Sequence, residues 1–236
     1  MLNNKQNVAF TSDGPTTLAQ HSASTFLWMF IGLMITAVTA FFFAATGFME
    51  RLLMGSGGLI GIVALVLQLT VVVSFVRSVH KMNTQKAKIM FFVYSFITGL
   101  TFSVIAYAYA SSTIALAFGI TAVYFGALAT IGYTTRFDLS KFGPILFTSL
   151  LILIGFNIFA MFVHLPWMEQ MICTLGLIVF SGLTAYDTQK MKALYMANEG
   201  NEEALKTLCI YSAFDLYLDF LNIFLYILQM LGRNDD

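Results

Sequence analysis

The chain has 236 residues with 12 Lys and Arg against 12 Asp and Glu, 58% hydrophobic side chains and 10% charged ones. Its mean hydropathy is +0.81, where soluble domains average about 45–50% apolar and about 25% charged residues. That composition excludes a soluble globular domain, and the absence of any basic excess excludes a nucleic-acid-binding role. The chain reads as an all-α integral membrane protein in contact with membrane lipid.

In chain order, residues 1–24 are polar and lack the basic-then-apolar order of a cleaved signal peptide. They are expected to form a loosely ordered cytoplasmic tail, leaving the first span as an uncleaved insertion signal. Apolar runs near the roughly 20 residues needed to cross a bilayer follow at seven places. These are Thr25–Gly47, Leu59–Val76, Ile89–Ala110, Thr113–Tyr133, Pro144–Val163, Met168–Ala185 and Leu208–Leu231. Connections are short, and Ser111-Ser112 is expected to form a minimal turn between spans three and four. One membrane domain over residues 25–232 follows, with 233–236 a short polar end. No repeat is evident.

Orientation is set by Lys and Arg. With the N-terminus inside, the inner segments hold Lys5, Arg77, Lys81, Lys86, Lys88, Arg136, Lys141, Lys190, Lys192 and Lys206, and the outer ones hold Arg51 and Arg233. The bias predicts a cytoplasmic N-terminus. Cys173 and Cys209 lie in apolar runs near opposite faces, so no disulfide is indicated. His21, His80 and His164 make no zinc-binding spacing, and no resident cofactor is expected. Gln68 and Asn157 read as hydrogen-bond partners between helices.

The last span is the exception to this apolar pattern. Phe214-Asp215-Leu216-Tyr217-Leu218-Asp219-Phe220-Leu221-Asn222-Ile223-Phe224 places two carboxylates one helical turn apart, with Asn222 nearby. Each ionisable residue at a span's centre costs about 2.5–3.5 kcal/mol on insertion scales, so such residues face a pathway or a buried partner. Two carboxylates about 6 Å apart on one face repel by roughly 3 kcal/mol at an effective dielectric near 20. Their protons therefore belong to the cluster rather than to either residue.

Asp187 ends span six on the side from which span seven starts, so it could face Asp219 or Asp215. The plainer alternative is a solvated helix-ending Asp answered by Lys190 at i+3. Carboxylate oxygens with an Asn carbonyl are the hard ligands calcium prefers. Asp187, Asp215 and Asp219 are thus the candidate metal-ligating residues, and Asp215, Asp219 and Asn222 the candidate ion pathway. Arg77, Lys81 and Arg136, at the inner ends of spans two and four, are first of all topology determinants. A secondary reading makes one of them the counter-ion, or latch, of Asp187.

Four segments carry a family resemblance. They are Ala185-Tyr186-Asp187-Thr188-Gln189-Lys190, Leu216-Tyr217-Leu218-Asp219-Phe220-Leu221-Asn222-Ile223-Phe224, Tyr133-Thr134-Thr135-Arg136-Phe137-Asp138-Leu139-Ser140, and Phe91-Phe92-Val93-Tyr94-Ser95-Phe96-Ile97-Thr98-Gly99-Leu100-Thr101. Together they resemble the Bax inhibitor-1 family, the transmembrane Bax inhibitor motif proteins, over nearly the whole chain and most of all its bacterial inner-membrane branch. The resemblance implies seven helices with the last one central to the bundle. It also implies a pH-sensitive calcium leak in which Asp187 hydrogen-bonds Asp219 as pH sensor and gate, calcium being the transported ion. An arginine near the end of span two latches the closed form in that picture. Here Arg77 lies a turn earlier and Lys81-Met82-Asn83 stands where some members have basic residues.

An alternative function is a regulator that binds a membrane-anchored protease, a quality-control partner or other membrane proteins. An enzyme is not expected. An intramembrane aspartyl protease would set Gly-x-Gly before its second Asp, whereas Leu216-Tyr217-Leu218 precedes Asp219.

Overall fold

The computed structural model describes residues 16–48, 51, 55, 59–78, 83–160 and 166–232. These residues form helices without strands: α1 (Leu18–Thr46), α2 (Leu59–Ser78), α3 (Thr84–Phe102), the short α4 (Ile105–Ala108), α5 (Ser111–Thr134), α6 (Gly143–Ala160), α7 (Pro166–Ala197) and α8 (Glu202–Gly232). A 3-10 turn, Leu139–Phe142, precedes α6. Among the described residues six helices are long and apolar enough to cross a membrane. The second expected span is α2, whose 20 residues cover about 30 Å at 1.5 Å per residue.

The all-α fold with a central last helix is as expected. In α8, 72% of the apolar window is buried, while none of the other five exceeds 39%. Ionisable residues within a span face the bundle interior, and α8, which carries Asp215 and Asp219, is enclosed by α1, α3, α5 and α7. The outer helices α2 and α6 pack chiefly on α3 and α7. Aromatic rings fill the joints: Phe75 of α2 lies 4.4 Å from Phe214, Phe91 of α3 lies 5.3 Å from Tyr217, and Phe125 of α5 lies 5.5 Å from Phe220. Only 6% of the α6 window is buried, so this helix presents its Ile, Leu and Phe side chains to lipid.

Close backbone approach fixes two of these contacts. At Gly99 a Cβ would collide with Thr39 and the Thr36 carbonyl of α1, and at Gly132 with the backbone of Ala185 on α7. Small residues at such crossings let membrane helices pack by van der Waals contact and hydrogen bonds.

Several element boundaries differ from expectation. The first helix starts at Leu18, inside the expected tail, because Thr17 and Gln20 form a capping box. Ser111 and Ser112 open α5 rather than forming the turn. Asp187 does not end a helix: α7 runs on to Ala197 and α8 already begins at Glu202. Gln, Lys, Met, Ala and Leu between 189 and 197 are strong helix formers, so helicity continues after hydropathy falls. The hairpin turns at Gly200, which adopts φ 87°, and Asn201 caps α8 by accepting from the Ala204 amide at 3.1 Å.

Candidate functional site

The α7–α8 packing brings the acidic residues together. On α8, Tyr211, Asp215 and Asp219 recur every four residues and share one face. On α7, Asp187 and Lys190 are one turn apart and face them. Lys190 Nζ donates to Asp215 Oδ2 at 2.9 Å and to the Tyr211 hydroxyl at 3.3 Å. The same ammonium lies 3.5 Å from Asp187 Oδ1 and 4.8 Å from the centroid of the Tyr211 ring. The side chains of Asp187 and Asp215 are 12% and 13% exposed, that of Lys190 29%.

Asp219 lies deeper, at 3% exposure, and its Oδ2 has no hydrogen-bond partner. Thr184 and Thr188 of α7 are fully buried beside the cluster. Both hydroxyls donate back to their own helix, Thr184 to the Phe180 carbonyl at 2.8 Å and Thr188 to the Thr184 carbonyl at 2.7 Å. An isolated buried carboxylate costs several kcal/mol, so Asp219 Oδ2 calls for a proton, a water molecule or a cation.

Several expected relationships are replaced by others. No hydrogen bond or ion pair joins Asp187 to Asp219; Lys190 instead bridges Asp187 and Asp215. Asp187, Asp215 and Asp219 form no group able to hold a metal ion among the described residues. Asn222 Nδ2 donates to the Leu218 carbonyl of its own helix at 2.8 Å and reaches neither aspartate. Of the candidate latches, Arg136 is exposed and makes no ion pair. Lys81 lies outside the described residues, as does the side chain of Arg77, whose backbone belongs to α2. The counter-ion of Asp187 is Lys190, the partner offered by the plainer alternative, now turned inward to a second helix.

The neighbouring motifs hold this arrangement. Gln189 accepts from the Leu139 amide and donates to the Phe137 carbonyl, both at 2.7 Å. Lys192 donates to the Tyr133 carbonyl at 2.6 Å and lies over the Tyr133 ring. The α5–α6 loop is thus clamped to the turn of α7 that carries Asp187. Asp138 accepts from the Ser140 amide at 3.0 Å and hydroxyl at 2.6 Å, and these bonds hold its carboxyl below the usual aspartate range.

On another side of α8 a second polar seam forms. The Tyr217 and Thr36 hydroxyls are 2.7 Å apart, and Thr36 also bonds the Ser95 carbonyl at 3.0 Å. Gln68 donates to Thr98 and Thr101, joining α2 to α3 as its sequence position suggested. Cys173 and Cys209 are buried and not joined in a disulfide; Cys173 Sγ donates to Gln229 Oε1 at 3.1 Å.

A family model described as "Inhibitor of apoptosis-promoting Bax1" matches residues 18–236. The chain is 36% identical over 218 residues to "Inner membrane protein YbhL" of Escherichia coli K12, covering 92% of both chains. It is 33% identical over 219 residues to an uncharacterized protein of Rickettsia prowazekii, covering 93% of this chain and 92% of that one. An uncharacterized Deinococcus radiodurans protein is 32% identical over 238 residues, and both chains are covered in full.

Proposed function

This chain belongs to the Bax inhibitor-1 family, and on that premise we propose that it is a pH-sensitive leak channel for calcium or related cations in the bacterial inner membrane. The observation that carries this reading is Asp219: a carboxylate in the enclosed central helix, 3% exposed, with an unpartnered oxygen beside Asp187, Asp215 and Lys190. Nothing in bundle packing requires a charge there, and ionisable groups at membrane depth mark ion or proton paths. Carboxylates supply hard oxygen ligands suited to calcium as a passing ion. Protonation removes their charge, which couples passage to pH. In this account Asp187 and Asp219 set the pH response, Asp215 and Asp219 line the path, and no catalytic step is involved.

The second reading, a regulator of other membrane proteins, draws on one feature. The α7–α8 hairpin continues past its apolar windows and offers exposed residues such as Met196 at one end of the bundle. Purified chain in liposomes separates the two. Calcium release without any partner is the outcome for a channel; a folded, reconstituted chain that releases none points to the regulator.

A further inference from the structure

We propose that the start of α1 is a strap across the end of the bundle where α7 turns into α8, and that breaking its contact with Glu202 opens that end. The inference names a regulation of the leak and rests on that reading for its physiological meaning. Opening of the strap itself is measured without any ion.

Thr16 precedes Thr17, the cap of α1, so α1 uses neither its N–H nor its carbonyl. The hairpin uses both. The Thr16 N–H donates to Glu202 Oε1 at 2.7 Å, and the Thr16 hydroxyl donates to Glu202 Oε2. From the other helix the Tyr195 hydroxyl donates to the Thr16 carbonyl at 2.8 Å. One residue ahead of α1 therefore joins the last turn of α7 to the first turn of α8. Two further pairs continue the seam: Thr25 bonds Cys209 Sγ at 3.5 Å, and the Thr36 and Tyr217 hydroxyls are 2.7 Å apart. The two helices thus run parallel, and Thr16 with Glu202 forms the end rung.

Two observations make this rung the one that opens. The inner two rungs are buried, whereas Thr16 and Glu202 are half-buried, so water can take over their bonds. The closed strap also leaves a polar atom unsatisfied. His21, in the first turns of α1, is 2% exposed with its ring 5.5 Å from that of Tyr195, and its Nε2 has no hydrogen-bond partner. A buried nitrogen of this kind disfavours the closed form and is relieved when water enters. Opening bears on the carboxylate cluster through both helices. Tyr195 stands about 8 Å from Lys190 along α7, and Glu202 about 14 Å from Tyr211 along α8, at 1.5 Å per residue.

The two native thiols supply the test. Cys209 is buried on the second rung, while Cys173 is buried about 33 Å along α7 from Tyr195. Maleimide labelling of the full chain in detergent micelles is followed at each thiol by mass spectrometry. In Glu202→Ala, Cys209 should react at least about tenfold faster than in the native chain, a shift of about 1.4 kcal/mol in local opening, with Cys173 unchanged. Glu202→Gln keeps an acceptor for the Thr16 N–H and should stay near native. An unchanged Cys209 rate in Glu202→Ala, or equal acceleration of both thiols, overturns the inference, because a general loosening would expose both. If Glu202→Ala aggregates, Tyr195→Phe is judged by the same criterion. In liposomes Glu202→Ala should release calcium at least about twofold faster than the native chain, and equal release from a leaking native chain overturns the strap's control of the leak. A native chain that releases none refutes the leak reading, while the labelling still decides the strap.

Discussion

Lys190 Nζ of α7 and Asp215 Oδ2 of α8 are 2.9 Å apart, and the same ammonium also reaches Asp187. One side chain therefore pairs with two carboxylates on adjacent helices, in an interface that would otherwise gather only like charges. Hydrogen bonds to charged groups contribute about 1.5–3 kcal/mol, and the partial exposure of Lys190 places this bond at the lower end. Asp215→Asn alone and Lys190→Met alone should each lower the melting temperature in detergent. Asp215→Asn combined with Lys190→Met should lower it by clearly less than the sum, because the bond is already gone after the first change. Strict additivity would mean that the pair is not coupled.

A second prediction concerns the α5–α7 crossing. Gly132→Val must push its side chain into the backbone of Ala185, which cannot rotate away. Overpacking of this kind costs about 1–3 kcal/mol, and about 2–4 °C of melting temperature per kcal/mol is expected for a chain of this size. Gly126→Val on the same helix meets open space and should stay near native. Equal melting of the two variants would show that the crossing is looser than described.

Much of this fold was legible from hydropathy, because a bilayer forces apolar runs of about 20 residues into helices. Centrality of the last helix came from the family resemblance and not from hydropathy: α8 carries three acidic residues at 202, 203 and 215 as well as Asp219, and its packing shows it enclosed. The position of Asp187 was misjudged for a related reason. Hydropathy drops at Tyr186, whereas helix propensity persists to Ala197. Asp187 and Asp219 were found because charge in an apolar run stands out. Lys190 and Tyr211 were available through the same helical spacing, three residues from Asp187 and four from Asp215. Lysine near a membrane face, however, reads first as a topology signal. Gln68 stood out as a polar residue in an apolar run, whereas the contact of Thr36 with Tyr217 and Ser95, which joins α1, α8 and α3, has no local signature.

The α5–α6 loop should show its own acid sensitivity. The bonds from Ser140 hold the Asp138 carboxyl below its ordinary value of 3.8. A depressed carboxyl adds stability that is complete above the unfolded value and is lost as pH falls through the folded one. The melting difference between native chain and Asp138→Ala should thus be constant above 3.8 and shrink below it. A difference that grows on acidification would reverse the sign and refute the bond's role.

Topology follows from the distribution of Lys and Arg. A reporter inserted at Gly200, in the α7–α8 turn, should read cytoplasmic, and one in the segment 55–58 should read external. A cytoplasmic signal from the second site would overturn the orientation, and with it the side from which Lys190 meets solvent.

Calcium flux from liposomes holding the purified chain, measured over a pH series for the native protein and for Asp219→Asn, tests the buried cluster as the gate. The account predicts a native flux that changes with pH and an Asp219→Asn flux whose pH dependence is flattened, because an amide takes up no proton. Matching pH profiles in the two proteins would contradict it.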